Sequence, residues 1–304
     1  MGRGAGAAMV VVSYGSAALV EQNFAGWDAA EHGIDVIIVD CFSSDAEAAR
    51  VASVCERHGW TPLLLDENLG FGGGVNRGAD LAFARGADVL LVVNPDATLD
   101  AGAARALVEA AAAEDALVAP TIRKPDGSLW SEGSDMYLDD GSIAGVRHRA
   151  SHAGRPRLFW LTGACFAISR ALWRRVGGYA DDYFLYWEDV DLSDRIREAG
   201  GALRVLDDVA AVHDEGGTHD QAHSARAKSE IYYYYNIRNR LLFARLRLDP
   251  TAQRRWRRTA LRVSWGIVLQ GGRRQLLTSI APWRALARGL RDGRRGVRGP
   301  RSGS

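Results

Sequence analysis

The stretch "LYWEDVDLSDRIREAGG", Leu185 to Gly201, holds the densest set of groups in the sequence able to move a proton. If the chain is helical from Glu188, then Asp189, Leu192, Ile196 and Ala199 share one face, which is expected to point to the core. Asp191 and Arg195 lie four residues apart and are expected to pair at the surface. Asp189 is then a carboxylate aimed inward from the first turn of a helix. Such a group needs either a partner, as a capping residue, or a task, as a general base. Trp187 beside it reads equally as a stacking platform or as core.

Two further carboxylates close apolar runs. Asp40 ends "DVIIVD" and Asp96 follows "DVLLVVN" in "NPDA". If both runs are parallel strands, the two carboxylates meet outside the carboxyl ends of the sheet, where open α/β sheets take ligands. One can accept hydrogen bonds from a base or ribose, and the other can hold a hard divalent cation against a diphosphate. The glycine-rich "NLGFGGGVNRG", Asn68 to Gly78, opens a helix at the same edge. It lacks the Lys-Ser/Thr of a Walker A loop and contains no complete GxGxxG. Its backbone N–H groups could still face an anion, and it reads either as a nucleotide site or as a tight packing turn. His213 ends "VAAVH" and, taken alone, is a satisfied polar residue or a metal ligand.

The elements that must position these groups follow from periodicity. Runs at 9–14, 35–40, 61–67 and 88–94 have the length and β-branched continuity of buried parallel strands. Alanine-rich segments at 17–31, 44–58 and 73–86 have helical period, giving β-α-β-α-β-α-β with right-handed crossovers. From about 121 to 157 the pattern loosens into a loop-rich excursion. Residues 159–179 read as a strand running into a short helix capped by Ser169 and stopped by Gly177 and Gly178. A helix ending at Gly200 and a strand over 202–213 complete the body. The expected domains are 1–230, with halves over 9–120 and 121–230, and a basic C-terminal region over 231–304.

Hydrophobic residues make up 47% of the chain and charged residues 25%, which excludes a disordered protein. The net charge of +1 hides an asymmetry. From Arg245 onward there are sixteen arginines against Asp249 and Asp292, a net +14, leaving −13 for the body. The tail therefore wants a polyanionic partner, either a lipid surface, nucleic acid or the body itself. Arginines alternate there with Trp256, Trp265 and Trp283, but no uncharged run approaches the roughly twenty residues of a membrane span. An amphipathic region lying on an anionic membrane, with a disordered end, is the expectation, and packing on the body is the alternative. Three cysteines without CxxC spacing indicate neither a disulfide framework nor a zinc site, which suits a cytoplasmic protein peripheral to the inner face of the membrane.

Taken in order, "VVSYG", "IVDCFSSD", "ENLGFGGGVNRG", "LLVVNPDA", "WLTGACFAISRALWRRVGGYADDYFLYWEDVDLSDRIREAGG" and "AVHDEGG" resemble the family 2 glycosyltransferases of GT-A fold. The similarity spans about residues 9–247 and is strongest to bacterial rhamnosyltransferases and galactofuranosyltransferases of surface polysaccharide synthesis. The resemblance implies a Rossmann-like, mostly parallel sheet flanked by helices, and an inverting transfer of a sugar from a nucleotide-diphospho-sugar. Rhamnose is favoured, with galactofuranose next. It implies donor contacts from Ser13, Tyr14, Asp40, Asn68, Gly70, Asn76, Asn94, Pro95 and Asp96, and Mg²⁺ or Mn²⁺ held by Asp96 and His213. Asp189 would be the catalytic base, supported by Trp187, Glu188 and Asp191, with Trp160 and Gly163 on the acceptor side. Asn94 stands where the first Asp of the family's metal motif falls. The acceptor would be a glycan, free or linked to a polyprenyl diphosphate; nucleic acid is not expected, and a homodimer is compatible. Arg238 and Arg240 in "YNIRNR" would either reach a diphosphate or pair at the surface. Two other readings stay open at this point, a sugar nucleotidyltransferase and a non-catalytic sugar-nucleotide-binding scaffold.

Overall fold

The computed structural model describes residues 6–214 and 228–301. Its strands are β1 (Ala7–Ser13), β2 (Ile34–Asp40), β3 (Thr61–Leu64), β4 (Val89–Val93), β5 (Ala97–Thr98), β6 (Ala116–Arg123), β7 (Leu129–Ser131), β8 (Ser134–Tyr137), β9 (Ile143–Gly145), β10 (Arg157–Trp160), β11 (Cys165–Ser169) and β12 (Ala202–His213). The helices are α1 (Ala17–Phe24), α2 (Ala29–His32), α3 (Asp45–His58), α4 (Gly70–Ala84), α5 (Ala101–Ala113), α6 (Arg170–Val176), α7 (Glu188–Glu198), α8 (Glu230–Arg247), α9 (Pro250–Arg258), α10 (Ala260–Leu269), α11 (Gln275–Thr278) and α12 (Ala281–Arg295).

The main sheet has the order β3-β2-β1-β4-β11-β6-β12-β5, with β7 on β6. Strands β3, β2, β1 and β4 are parallel, as their continuous apolar runs require, because helices cover both faces. β11 runs antiparallel between β4 and β6. β12 pairs parallel to β6, so the long strands of the sheet share one direction apart from β11. One apolar cluster lies between the sheet and α1, α3 and α5, and a second between the sheet and α4, α6 and α7.

Three expectations change. The helix expected over 17–31 stops at Phe24, after which a turn at Gly26 tucks Trp27 into the core before the short α2. The run from 159 does not form one strand, since β10 belongs to a separate three-stranded sheet, β10-β8-β9, built from the segment expected to be loops. Asp135 anchors that sheet, fully buried, with Arg149 donating two hydrogen bonds to its carboxylate. The region after 231 forms the expected helical appendage, packed on the body, and the change lies at its end. α8 is buried along most of its length and α12 packs on it, while the end of the chain is tied down by Gly299 N–H donating to the Asp182 carbonyl and Arg301 N–H to the Tyr235 hydroxyl. Up to Arg301 the expected disordered end is instead bonded to the body.

Arg238 and Arg240 are both fully buried and reach no surface. Arg240 Nε donates to the Asp140 carbonyl at 2.8 Å and its guanidinium lies over the Trp256 ring. Arg238 donates to the Gly299 carbonyl and sits over Tyr235. Burial pulls the Arg240 pKa down to about 10, so it remains a cation used as an internal strut.

The glycines of α4 are explained by packing. The helix begins at Gly70, three residues earlier than periodicity suggested, so the glycines lie inside it. A Cβ at Gly74 would stand 2.7 Å from Cys41 Sγ and 2.8 Å from Val12, and one at Gly78 would stand 2.5 Å from Val10. Without side chains, α4 lies directly on β1 and β2. An alanine in a helix gains about 1 kcal/mol over glycine, whereas overpacking a core costs about 1–3 kcal/mol. Gly78→Ala is therefore expected to lower the melting temperature by several degrees, while Gly266→Ala, in α10 with no neighbour in reach, raises it slightly. Thermal denaturation of the two variants checks the contrast.

Candidate active site

The first strands end in a polar pocket. Register places Ser13 opposite Asp40 at the carboxyl ends of β1 and β2. Both are fully buried, and Ser13 Oγ bonds to Ser16 Oγ at 3.0 Å. Neither oxygen of Asp40 meets a hydrogen-bond partner among the described residues. Burial first, and the charge of Glu47 second, push its pKa up against the pull of the nearby Phe42 amide. A buried carboxylate without partners costs stability unless a ligand donates to it. Tyr14, 58% exposed, stands at the rim. Cys41 turns away, packed under α4 with its thiol pushed up to about 12 by burial.

The turn after β4 carries the second group of candidates. Asn94 N–H donates to the Ala164 carbonyl and its Oδ1 is buried without a partner. The Asn94 carbonyl accepts from Ala97 N–H, and the Pro95 carbonyl accepts from the Asn23 amide on α1, so the turn is fixed from both sides. β12 pairs with β5 here, with His213 opposite Ala97. That pairing brings His213 Nε2 to 3.1 Å from Asp96 Oδ1, both residues being buried. The imidazole is backed by the Trp130 ring at 4.6 Å, and neither ring nitrogen has a hydrogen bond of good geometry among the described residues. One imidazole nitrogen and one carboxylate oxygen suit Mg²⁺ or Mn²⁺ if diphosphate and water oxygens complete the shell. Among the described residues no group of three or more metal-binding side chains occurs. The last residues of "AVHDEGG", from 215, lie outside the described residues.

The third group sits at the head of α7. Tyr186 and Trp187 both have left-handed backbones, φ 64° and 75°, and aim the helix start. The Asn239 amide on α8 donates to the carbonyls of Leu185 and Tyr186, at 2.9 and 2.7 Å. Trp187 is core, packed against Phe243 and Trp256, and offers no stacking platform. Asp189 remains partly accessible. Its Oδ2 accepts from Gly163 N–H at 3.4 Å and its Oδ1 from Val190 N–H at 2.9 Å. Burial of the carboxylate raises its pKa to about 6, with the Val190 and Gly163 amides opposing. Glu188 is buried with Oε2 unpaired, and its pKa is pushed well above the carboxylate range by burial and by Asp189. The Tyr179 hydroxyl, also buried and unpaired, faces this pair, whose charges help hold its proton on.

The sequence-derived candidates therefore divide. Gly163 joins Asp189 directly, and Ala164 next to it holds Asn94, so the metal pair and the head of α7 share one crevice wall. Asp191 is not at the surface. It is 2% exposed, with Arg195 at 2.7 Å and Arg247 of α8 at 3.9 Å, a strut that ties α7 to the C-terminal helices. Asn76 is also structural, since its amide both donates to the Tyr179 carbonyl and accepts from Tyr179 N–H. Both ends of its amide are used in holding the segment before α7. Asn68 Oδ1 caps Gly70 N–H at 2.9 Å. Gly70 has φ 76°, and a Cβ there would collide with the Phe184 carbonyl. What presses on the glycines of α4 among the described residues is thus the sheet below and the 179–188 segment above. Trp160 ends β10 half-buried, its indole N–H without a partner. Tyr179, Trp130 and Asn239 were not singled out from sequence. Asn239 and Trp130 act through contacts 50 or more residues away, and Tyr179 both through the distant Asn76 and through Glu188 and Asp189 across a turn, which no local pattern reports.

Comparison with known proteins agrees with this geometry. The model of glycosyl transferase family 2 matches residues 10–190. The N-acetylglucosaminyl-diphospho-decaprenol L-rhamnosyltransferase of Mycobacterium tuberculosis (strain ATCC 25618 / H37Rv) is 28% identical over 257 residues, covering 74% of this chain and 82% of that protein. Among solved structures, the mannosyltransferase PcManGT of Pyrobaculum calidifontis, in complex with GDP-Man and Mn²⁺, superposes with a TM-score of 0.55 at 16% identity over 97% of this chain and 87% of its own. GalNAc-T7 with UDP, GalNAc and Mn²⁺ gives a TM-score of 0.58 at 14% identity over 79% of this chain, which spans only 48% of that one. These similarities support the GT-A fold. The family match runs from β1 to the carboxylate at the head of α7 and takes in well over half of the chain, which makes this protein a member of glycosyl transferase family 2.

Proposed function

We propose that the protein is an inverting, metal-dependent sugar transferase that uses a nucleotide-diphospho-sugar donor and Asp189 as its base. The observation that carries this reading is Asp189 itself, a partly accessible carboxylate with a pKa raised to about 6, held by the Gly163 amide on the crevice wall that leads to Asp96 and His213. In this reading Ser13, Tyr14 and Asp40 receive the nucleoside, and the empty acceptor capacity of Asp40 takes donors from base or ribose. Asp96 and His213 hold a divalent cation, which when bound neutralises charge on the departing diphosphate. Asp189 takes the proton of an acceptor hydroxyl as its oxygen bonds to the anomeric carbon and the diphosphate leaves from the opposite face. Burial and the neighbouring Asp189 push the Glu188 pKa well above the carboxylate range, which favours Asp189 as the charged member of the two.

The relative's printed activity supports rhamnose as the sugar and a polyprenyl-diphosphate-linked N-acetylglucosamine as the acceptor. Thymidine-diphosphate rhamnose is the first donor to test and uridine-diphosphate galactofuranose the second.

Asp189→Asn is expected to lower turnover at least about a hundredfold while donor affinity, read by calorimetry, stays within about twofold. Equal loss of donor affinity would remove Asp189 from the chemical step. Since the carboxylate must be ionised to accept a proton, kcat/KM is expected to fall about tenfold per pH unit below about 6 and to level above it. A pH profile without a limb near 6 counts against the assignment. Asp96→Ala is expected to abolish Mn²⁺-dependent donor binding and His213→Ala to weaken it. Donor that binds wild type equally well in a chelator sinks the metal role, and failure of every nucleotide sugar to bind favours a scaffold.

A further inference from the structure

The C-terminal helices use their arginines in two ways. Some pair with carboxylates of neighbouring elements, as Arg284 on Glu230, Arg262 on Asp140 and Arg298 on Asp182. Others, Arg257, Arg258, Arg273, Arg274 and Arg288, make no ion pair among the described residues. From Pro250 to Arg291 the sequence has ten arginines and no aspartate or glutamate. α12 spends one face on α8, where Gly289 and Gly293 let the two helices approach closely. On another side the apolar residues Leu261, Leu277, Ile280 and Trp283 are exposed by 60%, 91%, 70% and 42%.

These four form one surface. A groove of about 600 Å³, lined by Leu261, Trp265, Trp283 and Leu286 with Arg258 and Arg262 at its mouth, joins Leu261 to Trp283. The Trp283 indole N–H donates to the Leu276 carbonyl, which puts Leu277 and Ile280 beside it. Exposed apolar area of this kind marks an interaction site. The segment that carries it, 250–291, has charge of one sign only, and the carboxylates beside it, Asp140 and Glu230, are already held by arginines, so the occupant it suits is both apolar and anionic. A second copy of the chain docking through the same face would set arginines against arginines. A bilayer with anionic headgroups supplies both requirements, and tryptophan at the boundary of an arginine-rimmed apolar face suits its interfacial zone.

We propose that this face, tipped by Leu277, Ile280 and Trp283 and rimmed by the unpaired arginines, docks the protein on the surface of an anionic membrane. The leucine, isoleucine and tryptophan enter the headgroup boundary, and the arginines take lipid phosphates. No helix among the described residues is long and apolar enough to cross a membrane, so the attachment is to one leaflet. Donor and acceptor play no part in it, and its test is independent of the transfer reaction.

The experiment is flotation of the full chain with vesicles of phosphatidylcholine alone and of phosphatidylcholine mixed with phosphatidylglycerol, across a salt series. Wild type is expected to bind the mixed vesicles and to release as salt rises. Leu277→Asp/Ile280→Asp, at two exposed positions, is expected to weaken binding at least about tenfold with an unchanged melting temperature. Arg273→Glu/Arg274→Glu is expected to weaken it by a similar factor and to flatten the salt dependence, since each basic residue near such a surface is worth about fivefold. Wild type that ignores both vesicles, or an aspartate variant that binds as wild type does, overturns the proposal. So does a self-association, seen by sedimentation, that the aspartate variant abolishes while vesicle binding is absent.

Discussion

The geometry of the site depends on a backbone constraint, the two successive left-handed residues Tyr186 and Trp187. Neither is glycine, and each such residue costs on the order of 1–3 kcal/mol unless its surroundings hold it. Here they do. Asn239 binds the carbonyls of residues 185 and 186, and Trp187 is buried against Phe243 and Trp256. The resulting turn delivers Glu188 and Asp189 to the crevice at the first turn of α7. Since Asn239, Phe243 and Trp256 all belong to α8 and α9, the C-terminal helices support the head of α7 and are not a detachable tail. Asp191, paired with Arg195 and approached by Arg247, extends the same connection along α7.

Placing two carboxylates next to each other in one buried corner divides their roles. Burial raises both, and each would oppose ionisation of its neighbour. Glu188, with an unpaired oxygen and no route to solvent, goes far above its ordinary value. Asp189 accepts two backbone N–H groups and keeps contact with the crevice, which limits its rise to about 6. The environment thus disfavours charge on Glu188 more than on Asp189, the member of the pair that stays partly accessible. Tyr179, buried against both, adds a neutral hydroxyl to the corner.

What the sequence made legible was whatever has a local period or a local cap. The parallel strands, α3 and α6 with their serine caps, and α7 with its inward Asp189 all follow from spacing. Asp40 and His213 each end a strand and Asp96 lies in the turn after one, so the sheet rule alone places them at its edge. Sheet partners are a different matter. The insertion of β11 between β4 and β6, and the assignment of β10 to a second sheet, rest on contacts far apart in sequence. Polar residues misled in a consistent direction. Asn76, Asp191, Arg238 and Arg240 have the chemistry of ligand contacts or of surface charge, yet each spends its hydrogen bonds inside the fold. A sequence shows what a side chain can bond to and not whether that capacity is already used.

The glycines of α4 illustrate how one pattern serves two constraints. Gly74 and Gly78 bring the helix onto β1 and β2, and Gly70 accommodates the Phe184 carbonyl from above. α4 is therefore clamped between the strands whose ends hold Ser13 and Asp40 and the segment that leads to Asp189. The Asn76 amide locks that segment with its two bonds to Tyr179. A shift of α4 would move the strand ends that carry Ser13 and Asp40 and the segment that carries Asp189 together. The bare glycine positions of this helix are then a condition for the relative placement of the strand ends and the head of α7, whether or not a ligand touches the glycines themselves.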